Sequence, residues 1–102
     1  MSKEFIDNEI DEAHQRIKEG DFEGAVEQLK NIKLRIHDES ILMDIKEFEN
    51  GHDKELEERI KTIDSSNKHH FDKHNEQMQQ VVKYAKSYLR FYDKLRKENE
   101  IY

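Results

Sequence analysis

The sequence predicts an all-α fold: a small helical bundle with an N-terminal antiparallel helical hairpin and a long C-terminal helix that could extend into a coiled coil. Three observations predict it. The 102 residues include no Pro and 3 Gly, so there is almost no punctuation for strand-to-strand turns. Apolar residues recur three and four positions apart, the spacing of one helix face. Charged residues make up 41% of the chain, which suits the solvent faces of amphipathic helices. Leu, Ile, Val and Phe number 24 of 102, a thin core only a little above the level at which disorder is expected. The strong periodicity decides for helices over disorder. The length bounds the chain at one domain, residues 1–102.

A first helix is expected over about residues 2–19. Phe5, Ile6, Ile10, Ala13 and Ile17 share one face, and Glu4, Asp7 and Asp11 lie near its start, where the helix dipole favours acidic groups. Gly20 ends it as the residue beyond the C-cap, and Asp21 is a good N-cap for a second helix. The inward face of that helix reads Phe22, Ala25, Val26, Leu29, Ile32 and Ile36, making residues 1–37 a helical hairpin with a very short turn. Near His37-Asp38-Glu39-Ser40 the phase breaks, because Ile41, Leu42, Ile45 and Phe48 do not continue the earlier stripe. Asp38 or Ser40 can cap a new start there. A short third helix over residues 38–51 is expected, ending at Asn50-Gly51.

A further capped pattern opens at Asp53 with Leu56, Ile60 and Ile63, and gives a long or broken helix over residues 53–98. Its weak point is Asp64-Ser65-Ser66-Asn67, four side chains that compete with the helix backbone for hydrogen bonds. Beyond it, Phe71, Met78, Val81, Val82, Ala85, Tyr88, Leu89, Tyr92 and Leu95 support a helix over about residues 67–98. That helix would be roughly 45 Å long, against a radius of gyration of about 13 Å for a compact domain of this size, and should overhang it. Run unbroken from Asp53, it would align Leu56, Ile60, Ile63, Asn67, His70, His74, Gln77, Val81, Tyr84, Tyr88, Phe91 and Leu95 as a heptad-like seam with a polar middle. Such a seam asks for a partner, so a homo-oligomer is expected.

Charge is split along the chain. Residues 1–60 carry 18 acidic and 9 basic side chains, and residues 61–102 carry 6 and 9. The basic excess falls on Lys83, Lys86, Arg90, Lys94 and Lys97, which recur at helical spacing as one stripe. The stripe can dock on the acidic half of its own chain, on a second copy, or on an acidic partner. The absence of Cys excludes a disulfide framework and thiolate metal sites. A charged N-terminus with no long apolar run leads us to expect neither a signal peptide nor a membrane span, hence a cytoplasmic protein. Richness in Lys, Glu, Ile and Asn suits an AT-rich bacterial or phage genome, or a mobile element.

Gly20-Asp21-Phe22 with Ala25, preceded by Ala13 and Ile17 and followed by Leu29, resembles the helix-turn-helix of a tetratricopeptide repeat over about residues 9–36. Glu9 and Glu12 stand where that pattern has large apolar residues, the closing Pro is missing and no second copy follows. No peptide-binding function is carried over from the likeness.

His70 and His74 lie four apart and would face the same way on a helix, with His69 beside them, but Asp72 and Glu76 are too far round to supply a third ligand. Two ligands do not make a structural site, so no metal and no cofactor is expected; the histidines read as solvated or as a polar layer of a coiled coil, and a pH-sensitive contact is also open to them. No Ser/His/Asp order, phosphate-cradling Gly loop or nucleophile motif can be read, and an enzyme is not expected. The expected function is a non-enzymatic protein–protein interaction module, a small regulator, inhibitor or adaptor acting through a helical face. Its contact would be Tyr84, Tyr88, Phe91, Tyr92 and Leu95, with Lys83, Lys86, Arg90, Lys94 and Lys97 around the rim. The alternatives are a nucleic-acid-associated protein using the same basic stripe with its interleaved aromatics, and a structural self-assembling helical protein.

Overall fold

A computed structural model describes residues 3–98. It contains α1 (Lys3–Lys18), α2 (Phe22–Asn31), α3 (Glu39–Asp64) and α4 (His70–Glu98), with a 3-10 turn at Ile32–Arg35 and, among the described residues, no strand. The fold is all-α, as the sequence predicts.

Helices α1 and α2 form the expected hairpin, and its turn follows from two residues. Gly20 adopts φ 86°, where a side chain would be strained, and so lets the chain reverse immediately after α1. The Gly20 N–H donates to the Ile17 carbonyl and the Asp21 N–H to the Arg16 carbonyl, a Schellman closure that satisfies carbonyls left open at the helix end. The Asp21 carboxylate then accepts from the Gly24 N–H at 3.1 Å and caps α2. Beyond α2 the tightened 3-10 turn brings Ile32 and Ile36 into the core. Asp38 caps α3, accepting from the Ser40 and Ile41 N–H groups.

In the second half one sequence expectation is corrected and one alternative left open by the sequence is decided. The third helix does not end at Asn50-Gly51: α3 runs unbroken from Glu39 to Asp64. A helical Gly costs only about 1 kcal/mol relative to Ala, and here the helix is held on both sides of it. Ile45 and Glu49 are buried before Gly51, while Asp53 behind it is hydrogen-bonded to α4. Asp53 is therefore an interior helix residue and not an N-cap.

The unbroken seam from Leu56 to Leu95 does not form either, because the helix stops at Asp64 and the chain folds back. The stop comes where the sequence is weakest. The Ser65 N–H still donates to the Lys61 carbonyl, but Ser66 turns both its N–H and its hydroxyl onto the Ile63 carbonyl, and α4 restarts only at His70. The result is an antiparallel α3–α4 pair in which Lys73 donates to the Asp64 carbonyl across the turn.

The core gathers Ile6, Ile10 and Ala13 of α1, Ala25, Val26 and Leu29 of α2, Ile41 and Ile45 of α3, and Ala85, Tyr88, Leu89, Tyr92 and Leu95 of α4. Helix α4 is its hub, packing against each of the other three. At 29 residues it is about 43 Å long, and the molecule measures 49 × 28 × 19 Å with a radius of gyration of 15.2 Å. The overhang expected from the sequence is present. The distal parts of α3 and α4, roughly residues 50–84, form a two-helix arm projecting from a four-helix end.

Candidate functional site

The predicted contact face divides in two. Tyr88 and Tyr92 are fully buried and Leu95 is 6% exposed, all in the chain's own core, so these three cannot serve as a docking face of the folded chain. The apolar stripe that the sequence left for a partner is covered by α1 and α2. Tyr84 and Phe91 remain half-buried at the α3–α4 seam. There Phe91 stacks on Phe48 (centroids 4.0 Å apart, planes 4° apart), Phe48 on His52, and His52 on Tyr84, an aromatic ladder joining the two helices.

Asp53 sits at the base of the arm as a node between three helices. Its carboxylate accepts hydrogen bonds from the Tyr84 hydroxyl and, at 3.0 Å, from the Tyr88 hydroxyl, and it pairs with Lys30 of α2 at 3.2 Å. Burial acts to raise the Asp53 pKa, but the bonds from Tyr84, Tyr88 and Lys30 outweigh it and hold the carboxyl below its ordinary value. Lys30 is the mirror case: burial lowers its pKa, and its bonds to Asp53 and Tyr84 more than restore it. Burial pushes Tyr84 and Tyr88 up, reinforced by the negative charge of Asp53. The node fixes where the arm leaves the bundle. On the far side of the ladder, Glu49 is 7% exposed and accepts from Lys33 at 2.7 Å. Among the described residues its other oxygen and the Tyr92 hydroxyl have no hydrogen-bond partner.

The five basic residues of the stripe, Lys83, Lys86, Arg90, Lys94 and Lys97, are all exposed. Arg90 bonds Ser87 of its own helix, and none of the five makes an ion pair among the described residues. The acidic N-terminal half is engaged instead by Arg96, which reaches Asp7 and Asp11 of α1 and Asp93 of its own helix, while His14 of α1 bonds the same Asp93 of α4 at 2.8 Å. Sequence reasoning missed Arg96 because it lies off the stripe. The available signal was its position on the core side, next to Leu95.

The arm itself is the feature that the sequence signalled only as an overhang. Phe71 is 66% exposed and Met78 46% exposed, while Leu56, Ile60, Ile63, Val81 and Val82 are half-buried. A groove of 380 Å³ runs between the start of α2 and the base of the arm, floored by Phe22, Val26, Leu56, Val81 and Tyr84 and edged by Glu23, Glu27 and Lys30. On the outer face of α4, Met78 and Val82 make a second apolar strip, bordered by Gln79, Lys83 and Lys86. His69, His70 and His74 are exposed at the tip of the arm. Among the described residues no group of three or more His, Cys, Asp or Glu side chains is placed to hold a metal ion, and no helix is long and apolar enough to cross a membrane.

Comparison with protein-family models, with curated proteins and with solved structures finds no match for this chain. The likeness of the α1–α2 hairpin to a tetratricopeptide unit rests on its residues alone.

Proposed function

We propose that the chain is a non-enzymatic protein-interaction module, a small regulator, inhibitor or adaptor that binds another protein through its α3–α4 arm. One observation carries this reading: between Asn50 and Tyr84 no side chain is fully buried, yet this stretch holds Leu56, Ile60, Ile63, Phe71, Met78, Val81 and Val82. Two helices alone bury only part of their apolar stripes against each other, and a partner that lies along the arm recovers the burial that it lacks. The displaced pKa values of Lys30, Asp53, Tyr84 and Tyr88 are accounted for by their burial and mutual hydrogen bonds, which is the pattern of a structural node.

The test is affinity capture from the native host followed by mass spectrometry of the bound species, with Phe71→Asp/Met78→Asp as the paired variant. Both residues are solvent-facing, so the variant should keep its helicity and melting temperature and lose the captured protein. A captured protein held equally well by the variant would overturn the reading.

A second reading, association with nucleic acid, is favoured by the row Lys83, Lys86, Arg90, Lys94 and Lys97, which is exposed and makes no ion pair among the described residues. Phosphate binding would fall linearly in the logarithm of salt concentration and vanish on charge reversal of the row, whereas an apolar protein contact survives salt.

A further inference from the structure

The two apolar surfaces on the arm carry opposite charge at their edges. The groove between α2 and the arm has Phe22, Val26, Leu56 and Val81 at its floor and Glu23 and Glu27 on its rim. The outer strip of α4 has Met78 and Val82 at its centre and Lys83 and Lys86 beside them. Glu23, Glu27, Lys83 and Lys86 are exposed, and none is in an ion pair among the described residues. One surface is the complement of the other, apolar against apolar and acidic against basic. They cannot meet within one chain, because Val81 in the groove and Val82 on the strip are neighbours on the same rigid helix.

We infer that the occupant of the groove is a second copy of this chain, whose α4 strip of Met78, Val82, Lys83 and Lys86 seats against Phe22, Val26, Leu56 and Val81. This deepens the protein-contact reading of the arm and rests on it. The pairing is reciprocal. The two surfaces lie side by side on α4, so two α4 helices crossing about a two-fold axis near Val81 and Val82 place each strip on the other copy's groove. Each surface is then used in both directions, which is how small patches approach the roughly 800 Å² per partner of a specific interface. Lys30 stays with Asp53 inside its own chain and leaves Glu23 and Glu27 as the free acidic edge.

The experiment is a charge swap on the full chain, read by sedimentation velocity and light scattering up to high micromolar concentration, with circular dichroism to confirm the fold. Wild type should be a dimer. Glu23→Lys/Glu27→Lys places basic edges against basic edges, and Lys83→Glu/Lys86→Glu places acidic against acidic; each variant alone should weaken the dimer by about 100-fold or more. Mixed one to one, the two variants face each other with opposite charges at both contacts and should recover a heterodimer. A wild type that stays monomeric overturns the inference, and so does a dimer that neither reversal disturbs. The arm reading is separable from it: a dimer lost with Met78→Asp/Val82→Asp but indifferent to both charge swaps leaves the arm as a contact and removes this pairing. A dimer indifferent to all of these variants removes the arm as well.

Discussion

The four-helix end and the arm are built from the same two long helices and have different physical character. In the four-helix end, α4 is enclosed by α1, α2 and α3, and every fully buried side chain of the described residues lies between Ile6 and Glu49 or between Ala85 and Leu95. In the arm, α4 packs against α3, with α2 reaching its base at Val81 and Tyr84, and nothing from Asn50 to Tyr84 is fully buried. The first region has folding as its task and its apolar surface is spent on itself. The second keeps apolar surface accessible and is tied to the first by the Asp53 node and the Phe91–Phe48–His52–Tyr84 ladder. The division teaches that a helix's apolar stripe does not announce its use: Tyr88 and Val81 lie on one continuous stripe, and only the number of neighbouring helices separates core from contact.

The sharpest way to break this comparison is to truncate one residue on each side of the boundary. Tyr88→Ala should cost about 3–5 kcal/mol of unfolding free energy, the range for emptying a buried aromatic site, and also deprives Asp53 of a donor. Ile60→Ala, half-buried in the arm, should cost about 1 kcal/mol or less, because its site is already partly hydrated. Urea denaturation followed by circular dichroism measures both. Equal costs would mean that the arm is as tightly packed as the bundle.

Alkaline titration sharpens the same contrast without mutation. Burial raises the pKa values of Tyr88 and Tyr92 well above 10.0, the ordinary value that they regain on unfolding. A group whose folded pKa is raised adds stability that is intact below its unfolded pKa and is lost as pH climbs past it. Helicity should therefore fall in step with the appearance of tyrosinate absorbance above pH 10.0. Tyrosinate that forms fully while the helix signal persists would place these hydroxyls in solvent. Asp53 acts in the opposite sense: its lowered pKa contributes stability above the ordinary value of 3.8 that is lost as pH falls below it.

The elements most legible in the sequence were those whose signals are local. Gly20-Asp21 marked a turn because φ > 0 and an N-cap are properties of single residues, and Asp38 marked the start of α3 for the same reason. The stop at Asp64 was legible as a weakness, since Ser65, Ser66 and Asn67 compete for backbone bonds in any context. Gly51 and Asp53 misled because their meaning is set by tertiary partners: a Gly on the solvent side of a helix anchored at both ends does not end it, and an Asp reached by two tyrosines and a lysine does not cap one. The basic stripe was legible as exposed, because Lys at helical spacing off the apolar face has nowhere else to go. Tyr88, Tyr92 and Leu95 were misassigned to a partner because the sequence does not say that α1 and α2 fold onto α4.

The smallest expected effect uses one substitution at two glycines and should give opposite signs. Gly20→Ala places a side chain at φ 86° and should destabilise the α1–α2 hairpin by about 1–2 kcal/mol, the cost of a left-handed conformation for an L-residue, even though the space around it is open. Gly51→Ala also meets nothing within 4 Å, but there the backbone is ordinary helix, so the added methyl lowers the entropy of the unfolded chain and should stabilise by about 0.5–1 kcal/mol. How that gain is distributed tests the boundary itself. If α3 is one cooperative unit across Gly51, the gain raises the melting temperature of the whole molecule. If the arm opens independently of the four-helix end, amide exchange should slow on the arm side of Gly51 while the global melting temperature stays where it was. Loss of stability at Gly51→Ala would mean that the chain needs a break there, and that the short third helix read from Asn50-Gly51 was the better description.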